Sequence, residues 1–201
     1  MAKRQSCFKR RLVIFAKVPI LGTVKSRLAA DIGFVEATRW YRTNCARLVR
    51  KLAADERWQV FIAVSPDVAA ANKSWPGIFP LGVPRIAQGE GSLGERMARI
   101  LNELGPGPVA IVGSDIPSIG PRQIGQTFRA LGKAEVVLGP SSDGGYWLIG
   151  KRGGVAPKIS LAHIRWSTKH TLDDTLNAFV GRRVELLDTL NDVDHASNLV
   201  K

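Results

Sequence analysis

Val109-Ala-Ile-Val-Gly-Ser-Asp-Ile-Pro117 runs four apolar residues into Gly113 and Ser114 and then presents a single carboxylate, Asp115. A short, wholly apolar run bounded by Gly and Pro is how a strand buried on both faces reads. Such a strand belongs at the centre of a sheet covered by helices, and Pro117 stops it from continuing. In open α/β sheets ligands collect at the carboxyl ends of strands, where Asp115 falls. Two uses of Asp115 fit this stretch: a cap for the helix after Pro117, or a ligand-facing group.

Downstream, Pro121 to Leu131 reads as a helix with Pro at its start. Glu135 to Leu138 and Tyr146 to Ile149 read as strands around Gly139-Pro-Ser-Ser-Asp-Gly-Gly145. Asp143-Gly144 is a strong hairpin signal, and the loop also gathers a carboxylate and side-chain-free backbone, as a bound sugar or phosphate requires. Ile164 to Thr168 precedes a helix from about Thr171 to Phe179, with Ser167 or Thr168 as its expected cap. Val184 to Leu187 is the last strand, and Asp188 to Asp194 leads to a short terminal helix. Asp192 and Asp194 share a side if the chain there is extended. Paired carboxylates repel unless a cation neutralises them, and oxygen ligands suit Mg²⁺ or Mn²⁺; the alternative is that Asp194 caps the terminal helix.

Upstream, Leu12 to Phe15 is a first apolar strand that enters a loop containing Pro19 and Gly22 and then a helix. Strand, glycine loop and helix start is the usual construction of a phosphate site, with Lys25 and Arg27 placed to neutralise the anion. Val24 stands where a P-loop needs Gly, which excludes that motif. Phe34 to Ala54 has helical spacing, with Trp40, Tyr41 and Cys45 in an apolar stripe that reads as core. Trp58 to Val64 is a second strand, a short helix follows Ser65-Pro66-Asp67, and Trp75 to Val83 reads as loop. Arg85 to Gln88 is a short strand before a helix over Glu95 to Leu104, and Gly89, Gly91 and Gly94 between them match the dinucleotide pattern G-x-G-x-x-G. Glu90 lies where a pyrophosphate would pass and the unit sits mid-chain, both against a nicotinamide enzyme; Gly89 and Gly91 remain candidates for shaping a nucleotide pocket.

The 201 residues, 45% hydrophobic and 23% charged, suit one α/β domain over residues 12–201. The net charge is +12, and five of the cations lie in residues 1–11, which contain no acid and read as a basic flexible tail. A positive field gathers polyanions, and without zinc-finger spacing or an aromatic RNA-binding signature a phosphorylated small substrate is expected rather than nucleic acid. No apolar run approaches the ~20 residues that span a bilayer. Two cysteines, no disulfide framework and no apolar run after the basic N-terminus point to the cytoplasm rather than secretion. The three histidines have no metal-ligand spacing. Nothing in the chain speaks to its oligomeric state.

Three stretches in order, Phe15-Ala-Lys-Val-Pro-Ile-Leu-Gly-Thr-Val-Lys-Ser-Arg-Leu28, Gly113-Ser-Asp-Ile-Pro117 and Leu138-Gly-Pro-Ser-Ser-Asp-Gly-Gly-Tyr146, resemble the signature blocks of an uncharacterised bacterial glycosyltransferase-like family. Trp166-Ser-Thr168 and Asp192-Val-Asp194 resemble two further blocks. That family is related to 2-phospho-L-lactate guanylyltransferase and molybdenum-cofactor guanylyltransferase. The resemblance implies the nucleotide-diphospho-sugar transferase (GT-A) fold, a three-layer α/β/α sandwich with a mixed central sheet. It also implies a nucleotide or nucleotide sugar held through Mg²⁺ or Mn²⁺, and a small-molecule acceptor. Carried onto this chain, Lys17, Gly22, Lys25 and Arg27 hold phosphates, Asp115 is the first metal ligand and Asp194 or Asp192 the second. Asp143, Gly144 and Gly145, with Trp166, Ser167 and Thr168, face the transferred group or its acceptor; Asp115, Lys25 and Asp143 are the catalytic candidates. Ser26 replaces the usual Thr, and Ser142 the acidic residue usual before Asp-Gly-Gly. The expected reaction is metal-dependent glycosyl or nucleotidyl transfer, with a non-catalytic nucleotide- or RNA-binding module as the alternative. The expected test of geometry is that Asp115 and the Asp192/Asp194 pair converge, because neighbouring strand ends open onto one crevice.

Overall fold

The computed structural model describes residues 9–71, 75, 77–154 and 156–199. Seven strands form one mixed sheet: β1 (Arg11–Lys17), β2 (Gln59–Ser65), β3 (Arg85–Ala87), β4 (Val109–Gly113), β5 (Val136–Pro140), β6 (Tyr146–Lys151) and β7 (Val184–Leu186). Their order across the sheet is β3-β2-β1-β4-β6-β5-β7. All pairs are parallel except those of β6, which runs antiparallel between β4 and β5. The helices are α1 (Ser26–Ile32), α2 (Phe34–Ala53), α3 (Val68–Ala71), α4 (Leu93–Glu103), α5 (Pro121–Ala130) and α6 (Thr171–Ala178).

The apolar runs of β1 and β4 follow from their burial on both faces. Leu12 and Ile14 pack on one side with Tyr41, Leu48 and Leu52 of α2 and Ile124 and Phe128 of α5. Val13 and Ile111 pack on the other with Met97, Ile100 and Leu101 of α4 and Leu176 of α6. These are the three expected layers, with β4 interior between β1 and β6. No helix among the described residues is long and apolar enough to cross a membrane.

Several boundaries move for local reasons. Helix α4 starts at Leu93, ahead of the expected Glu95, because Ser92 and Glu95 form a reciprocal capping box. Helix α6 has His170 at its N-cap without a side-chain cap; Thr168 Oγ1 accepts from His170 N but does not close the helix as expected of it. Asp115 is no cap, since α5 begins at Pro121 behind Gly120. Asp194 is no cap either, because the terminal 3-10 turn Ala196–Asn198 begins behind His195. Residues 1–8 of the expected tail lie outside the described residues, whereas Arg10 O accepts from Gln59 N and Arg11 opens β1. The described part of the Trp75–Val83 loop contains neither helix nor strand.

The chain steps outward from β1 through β2 to β3, then returns to place β4 on the other side of β1. That reversal opens a crevice at the carboxyl ends of β1 and β4. The β5–β6 hairpin tip and the segment leaving β7 reach the same edge, since Leu190 N donates to Pro140 O and bridges Ser141.

Candidate functional site

A buried polar network ties the ends of β1 and β4 together. Lys17 N donates to Tyr41 Oη at 2.9 Å, and the same hydroxyl lies 2.9 Å from Ser114 Oγ. Asn44 Nδ2 donates to Ser114 O at 2.9 Å, so α2 holds the peptide that carries Asp115. Burial above all raises the pKa of the Tyr41 hydroxyl, which stays neutral. In sequence Tyr41 reads as part of the apolar stripe and Asn44 carries no motif; the only hint is a polar atom beside an otherwise apolar helix face.

At the crevice Asp115, Asp192 and Asp194 converge, with one carboxylate oxygen of each within 4.8 Å of the others. Oxygens ~2.1–2.4 Å from one divalent cation can lie ~4–5 Å apart, so the three fit a shared ion, and a donor set of carboxylates alone suits Mg²⁺ or Mn²⁺. The predicted convergence therefore holds. Burial first, and then the charges of Asp194, Asp143 and Asp115, push the Asp192 carboxyl up to about 6, with Lys25 acting in the opposite sense. Burial also pushes Asp194 upward, but the hydrogen bonds and charges of Lys25 and then Arg27 hold it below the usual carboxylate range.

Lys25, expected to hold a phosphate, lines the same crevice and pairs there with two of the acids. Its ammonium lies 3.0 Å from Asp115 Oδ2 and 2.8 Å from Asp194 Oδ1, with only 6% of the side chain exposed. Its backbone is left-handed, φ 51° and ψ 48°, a conformation costly outside glycine and concentrated at functional sites. Arg27 Nη1 reaches Asp194 Oδ2 at 2.7 Å from an exposed position.

Three cavities border this cluster, and one of them, about 520 Å³, is lined by all three acids together with Lys17, Lys25, Arg27, Asp143 and Lys169. Of the other two, the first, about 310 Å³, is lined by Lys17, Thr23, Lys25, Gln88, Arg96 and Asp115 among others. Its floor is fixed by Gln88, whose Nε2 donates to Ala16 O and Ala63 O while Oε1 accepts from Arg96 at 2.7 Å. The second, about 260 Å³, is lined by Asp143, Gly145, Trp166, Ser167, Thr168 and Asp192 together with Asp115 and apolar residues. Gly144 does not line it. Gly144 has φ +84°, and a Cβ there would lie 2.3 Å from Lys169 O, so this glycine lets the hairpin tip lie flush on the 167–169 loop. Leu172 N donates to Gly144 O at 2.9 Å across the same contact.

The remaining glycine candidates are not brought together with the site. Gly22 has φ +78° in an exposed turn and lines none of the three cavities. Gly89 N donates to the Asp67 carboxylate at 3.1 Å, as does Gln88 N at 3.0 Å, so a side chain already occupies the anion position of that loop. The Arg99 guanidinium fills its other side, donating to Gln88 O and Glu90 O. Gly91 only serves the turn into the Ser92–Glu95 capping box. The loop also follows edge strand β3, away from the reversal beside β1 where a dinucleotide belongs.

The fold and this rim define a protein of the nucleotide-diphospho-sugar transferase superfamily. The chain belongs to the family described as an uncharacterized protein conserved in bacteria (DUF2064), whose model matches residues 48–168. A candidate nucleotide-diphospho-sugar transferase of Desulfovibrio desulfuricans G20 superposes with a TM-score of 0.80 at 27% identity, over 92% of this chain and 82% of that one. CMP:2-keto-3-deoxy-manno-octonic acid synthetase, solved with CTP, shares the fold at 11% identity and a TM-score of 0.54, over 94% of each chain. Glucosyl-3-phosphoglycerate synthase of Mycobacterium tuberculosis, solved with Mn²⁺, UDP and glucosyl-3-phosphoglycerate, does so at 9% identity and 0.55, over 92% of this chain and 71% of that one. No curated protein matches by sequence.

Proposed function

We propose that the chain is a metal-dependent transferase that moves a glycosyl or nucleotidyl unit from an activated nucleotide to a small acceptor. The observation that carries this reading is the convergence of Asp115, Asp192 and Asp194 between two cavities of different character. The structural relatives solved with CTP, or with UDP and Mn²⁺, support it.

In this reading the cavity with Lys17 and Arg96 takes the nucleotide, and Lys17 and Arg27 offset charge on its phosphates. Asp115, Asp192 and Asp194 hold the cation, which supplies charge stabilisation for the leaving phosphate. Asp143, on the facing rim, is placed to accept the proton of an attacking hydroxyl. Trp166, Ser167 and Thr168 bound the space for the transferred group or acceptor. The gain comes mainly from alignment and electrostatics rather than from covalent chemistry.

Thermal shift across nucleoside triphosphates and nucleotide sugars, with and without Mn²⁺, tests the assignment. Metal-dependent stabilisation by one nucleotide is expected. Salt-sensitive RNA binding without it would instead identify a non-catalytic module. Pyrophosphate release then marks nucleotidyl transfer, and nucleoside diphosphate release marks glycosyl transfer.

A further inference from the structure

We propose that Lys151, Arg182 and Lys158 form an anion site, for an oxyanion of the phosphate type, at the end of the sheet opposite the acidic crevice. It lies outside the transferase reading and does not depend on it. Lys151 closes β6 and is paired across the sheet with Val109 of β4 and Val136 of β5. Because β6 is antiparallel to both, its last residue lies at their amino ends, whereas Asp115 follows the carboxyl end of β4. Residues directly opposite across strands share a face, and on this one Val109 and Val136 pack with Ile159 and Phe179. Lys151 is 9% exposed there and makes no ion pair among the described residues. Burial first, and then the charges of Arg182 and Lys158, lower its pKa, with no carboxylate acting in the opposite sense. A buried cation without a counter-ion, beside two further cations, is costly. A bound anion removes that cost.

The cations come from three segments that are tied to one another. Arg182 Nη2 donates to Lys158 O at 2.9 Å and its Nη1 to Pro157 O at 3.4 Å, while the guanidinium lies 5.8 Å from the centre of the Phe179 ring. These bonds hold the fork and leave further N–H groups for a ligand, since a guanidinium carries five. Asn102 of α4 clasps the same segment: its Nδ2 donates to Ile159 O at 2.8 Å, and Ile159 N donates to its Oδ1 at 2.9 Å. Glu135, next to Val136, is engaged elsewhere, accepting from Arg183 N at 3.0 Å. Exposure rises from buried Lys151 through half-buried Arg182 to exposed Lys158, which gives an anion its way in. Cations gathered around one spot suit a single compact oxyanion, and the planar arginine fork matches two of its oxygens. An extended polyanion needs a row of cations instead.

The test is urea denaturation of the full chain in metal-free buffer, with chloride exchanged for inorganic phosphate at constant ionic strength. A saturable rise in the midpoint is expected. K151M should weaken the phosphate affinity behind that rise by at least about tenfold, and K158M by about threefold. K158M, an exposed change, reads the same site without touching the core. K17M controls for phosphate held in the crevice and should leave the response intact. Glycerol phosphate, titrated in parallel, distinguishes a phosphate ester from the free ion, and a rise with either that needs Lys151 supports the site. No saturable rise with either, a response undiminished in K151M and K158M, or one lost in K17M alone would overturn the proposal. Mn²⁺-dependent nucleotide stabilisation belongs to the crevice and should be the same in K151M as in the wild type, so the two readings fail separately.

Discussion

Lys25 and Asp194 are 169 residues apart in the chain, yet the ammonium of one donates to the carboxylate of the other at 2.8 Å. The same ammonium lies 3.0 Å from Asp115. It therefore stands among the oxygens that a divalent ion would use, and in the proposed reading the two cations would compete for one acidic pocket. Replacing Lys25 with Met should cost the metal-free protein on the order of 2 kcal/mol by leaving the carboxylates unneutralised. It should also tighten Mn²⁺ binding by about tenfold, read by calorimetric titration. An unchanged Mn²⁺ affinity would show that the ammonium and the ion do not exclude each other.

Asp115→Asn keeps the shape of the β4 terminus while removing one charge. The lost ion pair with Lys25 is offset by relief of repulsion within the acidic cluster, so the melting temperature should change little. Nucleotide stabilisation that depends on Mn²⁺ should disappear. Retention of that effect in the variant would remove Asp115 from the site.

The pH dependence of the metal-free protein follows from Asp192. Its carboxyl sits at about 6 when folded, against 3.8 as the ordinary value, so the unfolded chain gives up this proton first as pH rises. Stability should therefore fall as pH rises from about 4 through about 6, by on the order of 1 kcal/mol after solvent screening of a half-exposed group. Urea melts at intervals across that window should show the decline. Asp192→Asn or saturating Mn²⁺ should flatten it.

Gly144→Ala tests the contact between the two loops that frame the second cavity. The substitution adds both a positive-φ penalty and a clash with Lys169 backbone. A loss of roughly 2–3 kcal/mol is expected in chemical denaturation. A loss below about 0.5 kcal/mol, the scale of an ordinary surface change, would mean the loops separate freely.

The central strand and the destination of its aspartate were legible because burial on both faces writes itself as an unbroken apolar run. Convergence of Asp115 with Asp192 and Asp194 was legible for a topological reason: parallel strands deliver their carboxyl ends to one edge. The partner of Lys25 was not. A sequence shows the charge, but the left-handed backbone at that residue, which accompanies a side chain turned onto the acids, follows from tertiary contacts. The environment of Gly89 was not legible, because the glycine spacing of a turn is the same whether a phosphate or, as here, the Asp67 carboxylate meets the Gly89 amide. Tyr41 was placed in the core correctly, yet its hydroxyl, which joins two strand ends, is invisible to periodicity.

Strand β6 is embedded between two partners, so the hairpin bearing Asp143 is anchored in the interior of the sheet. Asp192 and Asp194 arrive differently. They follow β7, a three-residue strand at the sheet edge, in a segment held by the bridge at Leu190, by Trp147 Nε1 donating to Asp188 O and by Val193 buried against Leu28 and Ala37. Asp115, behind the doubly paired strand β4, is likewise cast with the body of the protein, whereas Asp192 and Asp194 form a clasp brought in by the segment after β7. A cation gripping both would sew that segment to the core, so slowed amide exchange beyond Leu187 becomes a direct gauge of loading even without turnover.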